Sequence, residues 1–321
     1  MKILRSLSEL AGHPSVVTIG NFDGVHCGHR EVIATVCARA RELGVQAAAV
    51  TFDPHPAHVL HDGPRLKLIT PLAEKLELLA TTGLDLVLVL PFDEELRHWS
   101  AEHFATAVLR DGLRALEVHE GETFRFGHHA RADVTDLARL GESLGFTVQA
   151  CRPVMARGAA ISSSRIRRLI AAGSLGEARS LMGRVFSVRS TPASGRGYGT
   201  LYTVPTINLA PYADLLPANG VYVTTLSVAG RVFKGVTNAG NRPTFGADSF
   251  AVETHLLDFE PIALSEETPL ELAFLHRLRE ERRFESVEAL RAQIGVDVRL
   301  AERFLGLCGV VGVGRVRAFC D

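Results

Sequence analysis

From residue 15 to about residue 180 the chain repeats one pattern, a short apolar run followed by a longer amphipathic one. The apolar runs are "SVVTIG" (15–20), "VQAAAVTF" (45–52), "LDLVLVLPF" (84–92) and "FTVQACRPV" (146–154). Between them "HREVIATVCARARELG", "PLAEKLELLATTG", "AEHFATAVLRDGL" and "DVTDLARLGESLG" carry helical spacing, and three of these four close on glycine. Apolar strands that alternate with amphipathic helices predict a parallel sheet buried on both faces. This is the strongest constraint on the fold.

After a helical segment at 174–182 ("SLGEARSLM") the texture changes. "GRVFSV", "LYTVPTINL", "GVYVTTLSV", "RVFKGVTN", "FAVETHLLDF" and "PLELAFL" are strand-like runs at short intervals, punctuated by Gly, Pro and Asn. "VAG" at 228–230 reads as a hairpin join, and "SVEALRAQIGVDVRLAERFL" (286–305) as one closing helix capped by Ser286. The pattern predicts a compact antiparallel barrel or sandwich. The expected division is therefore 1–182, 183–306 and a glycine-rich tail 307–321 without a readable signal.

Composition narrows the function. At 321 residues, with 46% hydrophobic and 22% charged residues, the chain suits two globular domains. A formal net charge of −1 supplies no field toward nucleic acid or membrane. Five cysteines form no C-x-x-C pair and no zinc-like spacing, which predicts reduced thiols in the cytoplasm. "MKILRSLSEL" does not read as a signal peptide, and no run nears the roughly 20 apolar residues of a membrane helix. The expectation is a soluble cytoplasmic protein with small-molecule partners, with self-association into a homo-oligomer left open. Lysine is scarce, at Lys2, Lys67, Lys75 and Lys234, and none closes a G-x-x-x-x-G-K-[ST] motif. Nucleotide chemistry here needs another phosphate cradle.

"GNFDGVHCGH" (20–29) offers one. The first strand ends near Gly20, Asn21 to Gly24 make the turn, and the helix is expected to begin about Val25. His26 and His29 then share its first turn, at the carboxyl ends of the strands, where open α/β sheets bind ligands. A helix N-terminus favours phosphate, and two imidazoles can donate to phosphate oxygens as their charge grows. Gly28 leaves room for a nucleotide against the backbone. One surface and one packing histidine would be the bland alternative; the pair, placed after a strand and a glycine-bounded turn, favours a nucleotide site.

These residues resemble the H-x-G-H signature of the nucleotidylyltransferase superfamily, in the G-x-F-D-G-x-H-x-G-H form of the bacterial bifunctional riboflavin kinase/FAD synthetase family. The resemblance implies a Rossmann-like α/β nucleotidylyltransferase domain followed by a β-barrel riboflavin kinase domain with a C-terminal helix. It implies catalytic roles for His26 and His29 and ATP contacts from Gly20, Asn21, Phe22, Asp23 and Gly28. "ISSSRIRRL" (161–169) is similar to the family's I-S-S-T/S-x-I-R element, which implies Ser163, Ser164 and Arg167 on the ATP phosphates. "GETFRFG" (121–127) resembles G-x-[DN]-F-x-F-G with Thr123 at the Asp/Asn position, implying flavin contacts from Thr123 and Phe124.

The second half carries its own elements. In "VPTINL" (204–209) Thr206 and Asn208 lie two apart on an extended segment, so they face one way. Alone this reads as a strand edge. Its resemblance to the riboflavin kinase P-T-x-N motif implies that both residues hold Mg²⁺ brought with ATP, although Thr203-Val204 replaces the usual Gly-Phe. "FAVETHLLDF" matches E-x-H-L-x-x-F and implies Glu253 as general base. "LREERRF" (278–284), read alone as a charged helix face, resembles L-R-x-E-x-K-F and implies Arg279 near the flavin. "GRGYG" (195–199) and "NRPTF" (241–245) match a phosphate-side flap and a barrel turn. The implied substrates and products are riboflavin, FMN, FAD and ATP. Two alternatives stand beside this reading, an FMN adenylyltransferase with a flavin-binding module and a non-catalytic flavin or nucleotide sensor.

Overall fold

The structure, a computed structural model, describes residues 1–193, 206–241, 250–258 and 264–309. The chain divides into two compact units, Met1–Ser163 and Ser164–Asp321.

The first unit is built on six strands: β1 (Lys2–Leu4), β2 (Ser15–Ile19), β3 (Gln46–Asp53), β4 (Leu86–Pro91), β5 (Ala115–Gly121) and β6 (Thr147–Cys151). They pair in the order β1-β4-β3-β2-β5-β6, all parallel. Helix α1 (Cys27–Leu43) and helix α2 (Leu72–Ala80) cover one face, where Ile33, Val36, Leu76 and Leu79 pack on Val16, Ala49 and Val87. Ala101–Phe104, its continuation as a wider π turn over Ala105–Gly112, and helix α3 (Val134–Leu144) cover the other. Strands covered on both faces need no polar alternation, and β2 is buried along its whole length.

The parallel sheet agrees with the strand–helix alternation, though edge strand β1 lies ahead of the pattern and two further strands differ from it. β6 is an edge strand with no fully buried residue, because only β5 pairs with it. β5 is central, yet its sequence "ALEVHEG" shows no apolar run. Its polar residues are neutralised locally instead. Glu117 accepts from Arg39 Nε and Nη2 at 3.0 and 2.6 Å and contacts His119 Nε2 at 3.1 Å, tying β5 to α1.

Glu120 points to the opposite face and is 3% exposed. The β2–β5 ladder stops at Val17↔Val118, and beyond it the Glu120 carboxyl accepts from the Ile19 N–H and, at 3.4 Å, from the Thr18 hydroxyl. A side chain thus completes the sheet where the strand order reverses.

In the second unit, helices α4 (Ser163–Ala171, which begins at the division) and α5 (Leu175–Met182) precede an antiparallel sheet. Its strands are β7 (Phe186–Ser190), β8 (Thr206–Asn208), β9 (Gly220–Val228), β10 (Arg231–Asn241), β11 (Phe250–Leu257) and β12 (Leu270–Arg279). The order is β7-β12-β9-β10-β11-β8, and a bridge from Pro192 to Leu209 joins the segments beyond the two edge strands, curling the sheet round. The β9–β10 hairpin turns on Ala229 and Gly230, both at positive φ, as a two-residue twist-matched loop requires. Inside, Tyr222, Phe274 and Phe186 pack as an aromatic column. Beside it the hydroxyls of Thr224, Thr237 and Thr254 form a buried chain at 2.8 and 2.9 Å. Each hydroxyl satisfies its neighbour across adjacent strands, so the interior holds no orphaned hydroxyl at these positions.

Helix α6 (Val287–Leu307) starts at Ser286, whose hydroxyl accepts the Ala289 N–H at 3.1 Å. It lays Ala301 and Leu305 on Val221, Val223, Val236 and Leu257. Arg279 fixes it laterally, donating from Nε and Nη2 to the buried Asp297 carboxylate at 3.1 and 2.8 Å.

The buried charges of the two units can each be tested by removal. Burial pushes the Glu120 carboxyl well above its usual value of 4.5. A raised folded value means that its contribution to stability is full below pH 4.5 and is lost as pH climbs through the folded value. Glu120→Gln should therefore raise the melting temperature at neutral and alkaline pH and leave it unchanged at pH 4, as read by calorimetry across that range. Asp297→Ala leaves the Arg279 guanidinium without its partner and should cost on the order of 2–3 kcal/mol in denaturant unfolding.

Candidate active sites

The turn between β2 and α1 is the most constrained segment of the first unit. Gly20 N–H extends the sheet to Val50 O at 2.9 Å, and the chain then leaves through Phe22 (φ 47°) and Val25 (φ 36°). Left-handed conformations are costly for both residues, so the turn needs external support. Asp23 supplies it. Its buried carboxylate accepts the Ile69 and Thr70 N–H groups at 2.9 and 3.0 Å, while the Thr70 hydroxyl receives the Gly24 N–H at 2.9 Å. A Cβ on Gly20 would lie 3.1 Å from the Phe22 ring, so glycine lets that ring fold back over the turn.

Helix α1 begins at Cys27, two residues later than the spacing predicts, and His26 is its N-cap. The reason is chemical: His26 Nδ1 accepts the His29 backbone N–H at 3.2 Å, the bond that a capping Ser or Asp oxygen usually makes. An accepting Nδ1 places the proton of the neutral ring on Nε2, which becomes a donor. The two imidazoles stack with centroids 3.6 Å apart and planes 16° from parallel, and Phe22 meets His29 edge-on at 5.3 Å. The side of Gly28 where a Cβ would stand is 3.2 Å from the His26 ring, so glycine here makes room for that imidazole.

His26 is buried at 4% exposure, and His29 is half-buried. Burial, followed by the fields of His26 and Lys75, pushes His29 well below 6.5, so its imidazole is neutral at physiological pH. His29 Nδ1 is buried without a hydrogen-bond partner among the described residues. A polar atom left in that state at a helix start calls for an explanation, and the helix N-terminus beside it favours an anionic ligand.

Ser163 reaches this turn, its hydroxyl donating to Asp23 O at 2.8 Å. Ser164 and Arg167 lie on α4 within the second unit, exposed and half-buried respectively. Thr123 is exposed at the tip of a turn closed by the Phe124 N–H on Gly121 O at 2.9 Å. Phe124 packs on the core and stacks on Phe126 at 5.4 Å.

Lys75, which belongs to none of the motifs, is a buried member of this neighbourhood at 5% exposure. It lines a small pocket with Asn21, Asp23, Asp53 and His55. Its signal in the sequence is its position on the apolar face of "PLAEKLELL", one residue before the buried Leu76.

In the second unit the strand register aligns the remaining candidates. Asn208 stands opposite Glu253, Glu253 opposite Asn238, Asn238 opposite Val221, and Val221 opposite Arg279. Directly opposed residues in a sheet share a face, with neighbouring strands about 4.8 Å apart. The row therefore crosses five strands on the face that α6 covers further along. Thr206 is exposed and Asn208 half-exposed, with the buried Ile207 between them, so both oxygens point outward. Asn238 is the member of this row that motif reading missed. Arg279 ends the row with its Nε and Nη2 committed to Asp297 and its Nη1 donating to Glu280 O at 3.0 Å. Thr203-Val204, "GRGYG", residues 242–245 of "NRPTF" and residues 310–321 of the tail lie outside the described residues.

Comparison with known proteins agrees with both halves. Residues 9–165 match the family model for FAD synthetase, and residues 182–305 match that for riboflavin kinase. A bifunctional riboflavin kinase/FMN adenylyltransferase of Pseudomonas fluorescens is 36% identical over 94% of this chain and 97% of its own. Proteins of the same name from Escherichia coli K12 and Listeria monocytogenes are 32% and 34% identical, over 96% and 88% of this chain and 99% and 90% of theirs. A crystal structure described as that of a macrolide-efflux protein from Streptococcus pneumoniae shares the fold, with a TM-score of 0.83 and 24% identity over 94% of this chain and 98% of that one. With two family models in tandem and relatives of this identity matched nearly end to end, the chain belongs to the bifunctional riboflavin kinase/FMN adenylyltransferase family.

Proposed function

We propose that the enzyme makes FAD from riboflavin in two steps, each on its own half of the chain. The barrel half, 183–306, transfers the γ-phosphoryl group of ATP to riboflavin, giving FMN and ADP. The parallel-sheet half, 1–182, joins FMN to the AMP moiety of a second ATP and releases pyrophosphate. The tail 307–321 has no assigned role. The observation that carries this reading is the presence of both family matches in one chain, in this order.

In the adenylylation step a phosphate oxygen of FMN attacks the α-phosphorus of ATP as the bond to the pyrophosphate oxygen breaks. The enzyme forms no covalent intermediate; alignment and charge stabilisation carry the rate. His26 donates from Nε2, the nitrogen that its capping bond leaves protonated, and neutral His29 stands stacked beside it. The turn Gly20, Asn21, Phe22, Asp23 and the bare Gly28 shape the nucleotide cradle, with Ser163, Ser164 and Arg167 on the phosphates. Thr123 and Phe124 contact the flavin.

In the kinase step Glu253 takes the proton of the ribityl hydroxyl as that oxygen attacks the γ-phosphorus. Thr206 and Asn208 would hold Mg²⁺. Two neutral oxygens on one side of the strand, with a carboxylate opposite Asn208, form a hard donor set that fits this ion. When bound, it neutralises charge on the ATP phosphates. Arg279 contributes from a fixed position on the flavin side, because Asp297 already holds it.

The expected setting is the cytoplasm, where ATP and reduced thiols coexist. Among the described residues Cys27, Cys37, Cys151 and Cys308 form no disulfide, and no helix is long and apolar enough to cross a membrane.

Incubation with riboflavin and MgATP followed by chromatographic separation of the flavins tests the whole reading: FAD requires both halves, and riboflavin returned unchanged refutes it. His29→Ala should lower FMN adenylylation by on the order of a hundredfold, about 3 kcal/mol, while FMN production from riboflavin persists. Near-normal FAD synthesis in that variant would remove His29 from the mechanism. Glu253→Gln should show the reverse split, with FMN formation lost and adenylylation of supplied FMN intact.

A further inference from the structure

Lys75 is an ammonium group held inside the protein by three acceptors on two different segments. Nζ donates to the Asn21 carbonyl at 3.1 Å, to the Thr51 hydroxyl at 3.0 Å and to the Phe52 carbonyl at 3.4 Å. An ammonium has three N–H donors, so these bonds exhaust it. Thr51 reinforces the junction, its hydroxyl lying 3.4 Å from Asn21 O. Asn21 belongs to the turn that delivers His26 and His29, whereas Thr51 and Phe52 belong to the end of β3. Burying a lysine is costly, and a leucine or methionine would fill the same face of α2 without that penalty. The charge therefore has a task, and the task lies in what it joins.

We propose that Lys75 is a positioning residue for adenylyl transfer, its ammonium locking the Asn21 end of the histidine-bearing turn onto the carboxyl end of β3. This rests on the reading that the His26–His29 pair acts on the nucleotide phosphates. Asp23 holds the middle of the same turn through the 69–70 backbone, so the two anchors grip it from different sides. With both in place Phe22 and Val25 keep their left-handed conformations and the histidine rings keep their stacking.

The lock is also a pH-sensitive one. The titratable groups around Lys75 are Asp23 on the turn, Asp53 at the end of β3, His55 on the same pocket wall and His29 on α1. Burial brings Lys75 down from 10.5 to about 8, against the opposing pull of Asp23 and Asp53. As pH rises through that value the ammonium loses a proton, its charge and one of its three donor bonds, and the lock on the Asn21 end of the turn weakens. Adenylylation should fall on that alkaline limb. The positive charge also helps to keep His29 neutral, so the two groups sense each other.

The test uses the full-length enzyme, with FMN adenylylation followed from pH 6 to 10 and riboflavin phosphorylation by the same preparations as the reference for folding. Lys75→Met should lower kcat for FAD formation by on the order of 10- to 100-fold and abolish the alkaline limb near pH 8, with kinase activity unchanged. Lys75→Arg keeps a cation and should move the limb to higher pH. A Lys75→Met rate within about threefold of the parent, or an alkaline limb that survives the substitution, overturns the proposal.

If the methionine variant fails to fold, the parent protein still decides. Its four lysines give four signals under ¹⁵N/¹³C-lysine labelling, assigned by replacing Lys2, Lys67 and Lys234 in turn with Arg. The expected result is a Lys75 midpoint near pH 8 with the His29 imidazole signal shifting over the same range. A midpoint at the ordinary 10.5, or a His29 signal insensitive to that titration, refutes it. The titration reads the lock and His29→Ala reads the phosphate chemistry, so the two ideas fail separately.

Discussion

The bond on which the first unit depends is that between the Asp23 carboxylate and the backbone N–H groups of Ile69 and Thr70. Two non-glycine residues in the left-handed region bracket Asp23, each held there at a cost of order 1–3 kcal/mol. Hydrogen bonds to an ionised acceptor are about twice as strong as neutral ones, and a buried carboxylate left without them would be far more costly than the strain itself. The turn is therefore stable because its alternatives orphan a charge. The helix start, the stacked imidazoles and the Ser163 contact are all arranged around this fixed point.

The second unit solves the placement problem by register. No single loop gathers Asn208, Glu253, Asn238 and Arg279; ladder pairing alone puts them on one line. Because side chains alternate along a strand, a slip of one residue in β11 would send Glu253 inward and Thr254 outward. The buried Thr224–Thr237–Thr254 hydroxyl chain opposes such a slip, since it would be broken at the same time. The polar interior of the barrel thus fixes the position of the carboxylate on its outer face.

Much of this was legible in the sequence. The strand–helix alternation predicts the parallel sheet, the hairpin at 228–230 and the Ser286 cap occur where the residues place them, and the two histidines do share the opening of α1. What was not legible depends on partners distant in sequence. β5 looks polar because nothing local shows that Arg39 will neutralise Glu117 or that Glu120 will complete the ladder of β2. Asp23 reads only as a residue of the nucleotide turn, because nothing local shows that the Ile69 and Thr70 N–H groups will donate to its carboxylate. Arg279, read alone as part of a charged helix face, instead ends strand β12, where α6 brings Asp297 beside it, and Asn238 has no motif of its own, only a place in the row. Lys75 lies on the apolar face of an amphipathic helix, but the acceptors of its ammonium appear only when α2 packs on the sheet.

The His26 cap divides one ring into two offices. Nδ1 is committed to the architecture of α1, and the far nitrogen, Nε2, is thereby left to carry the hydrogen of the neutral ring. An asparagine could assume the first office, because its carbonyl oxygen caps helices well, but it has no second nitrogen across an aromatic ring. Structural tolerance and chemical tolerance at this position are therefore separable. A screen for folded protein would accept substitutions there that a screen for FAD would discard.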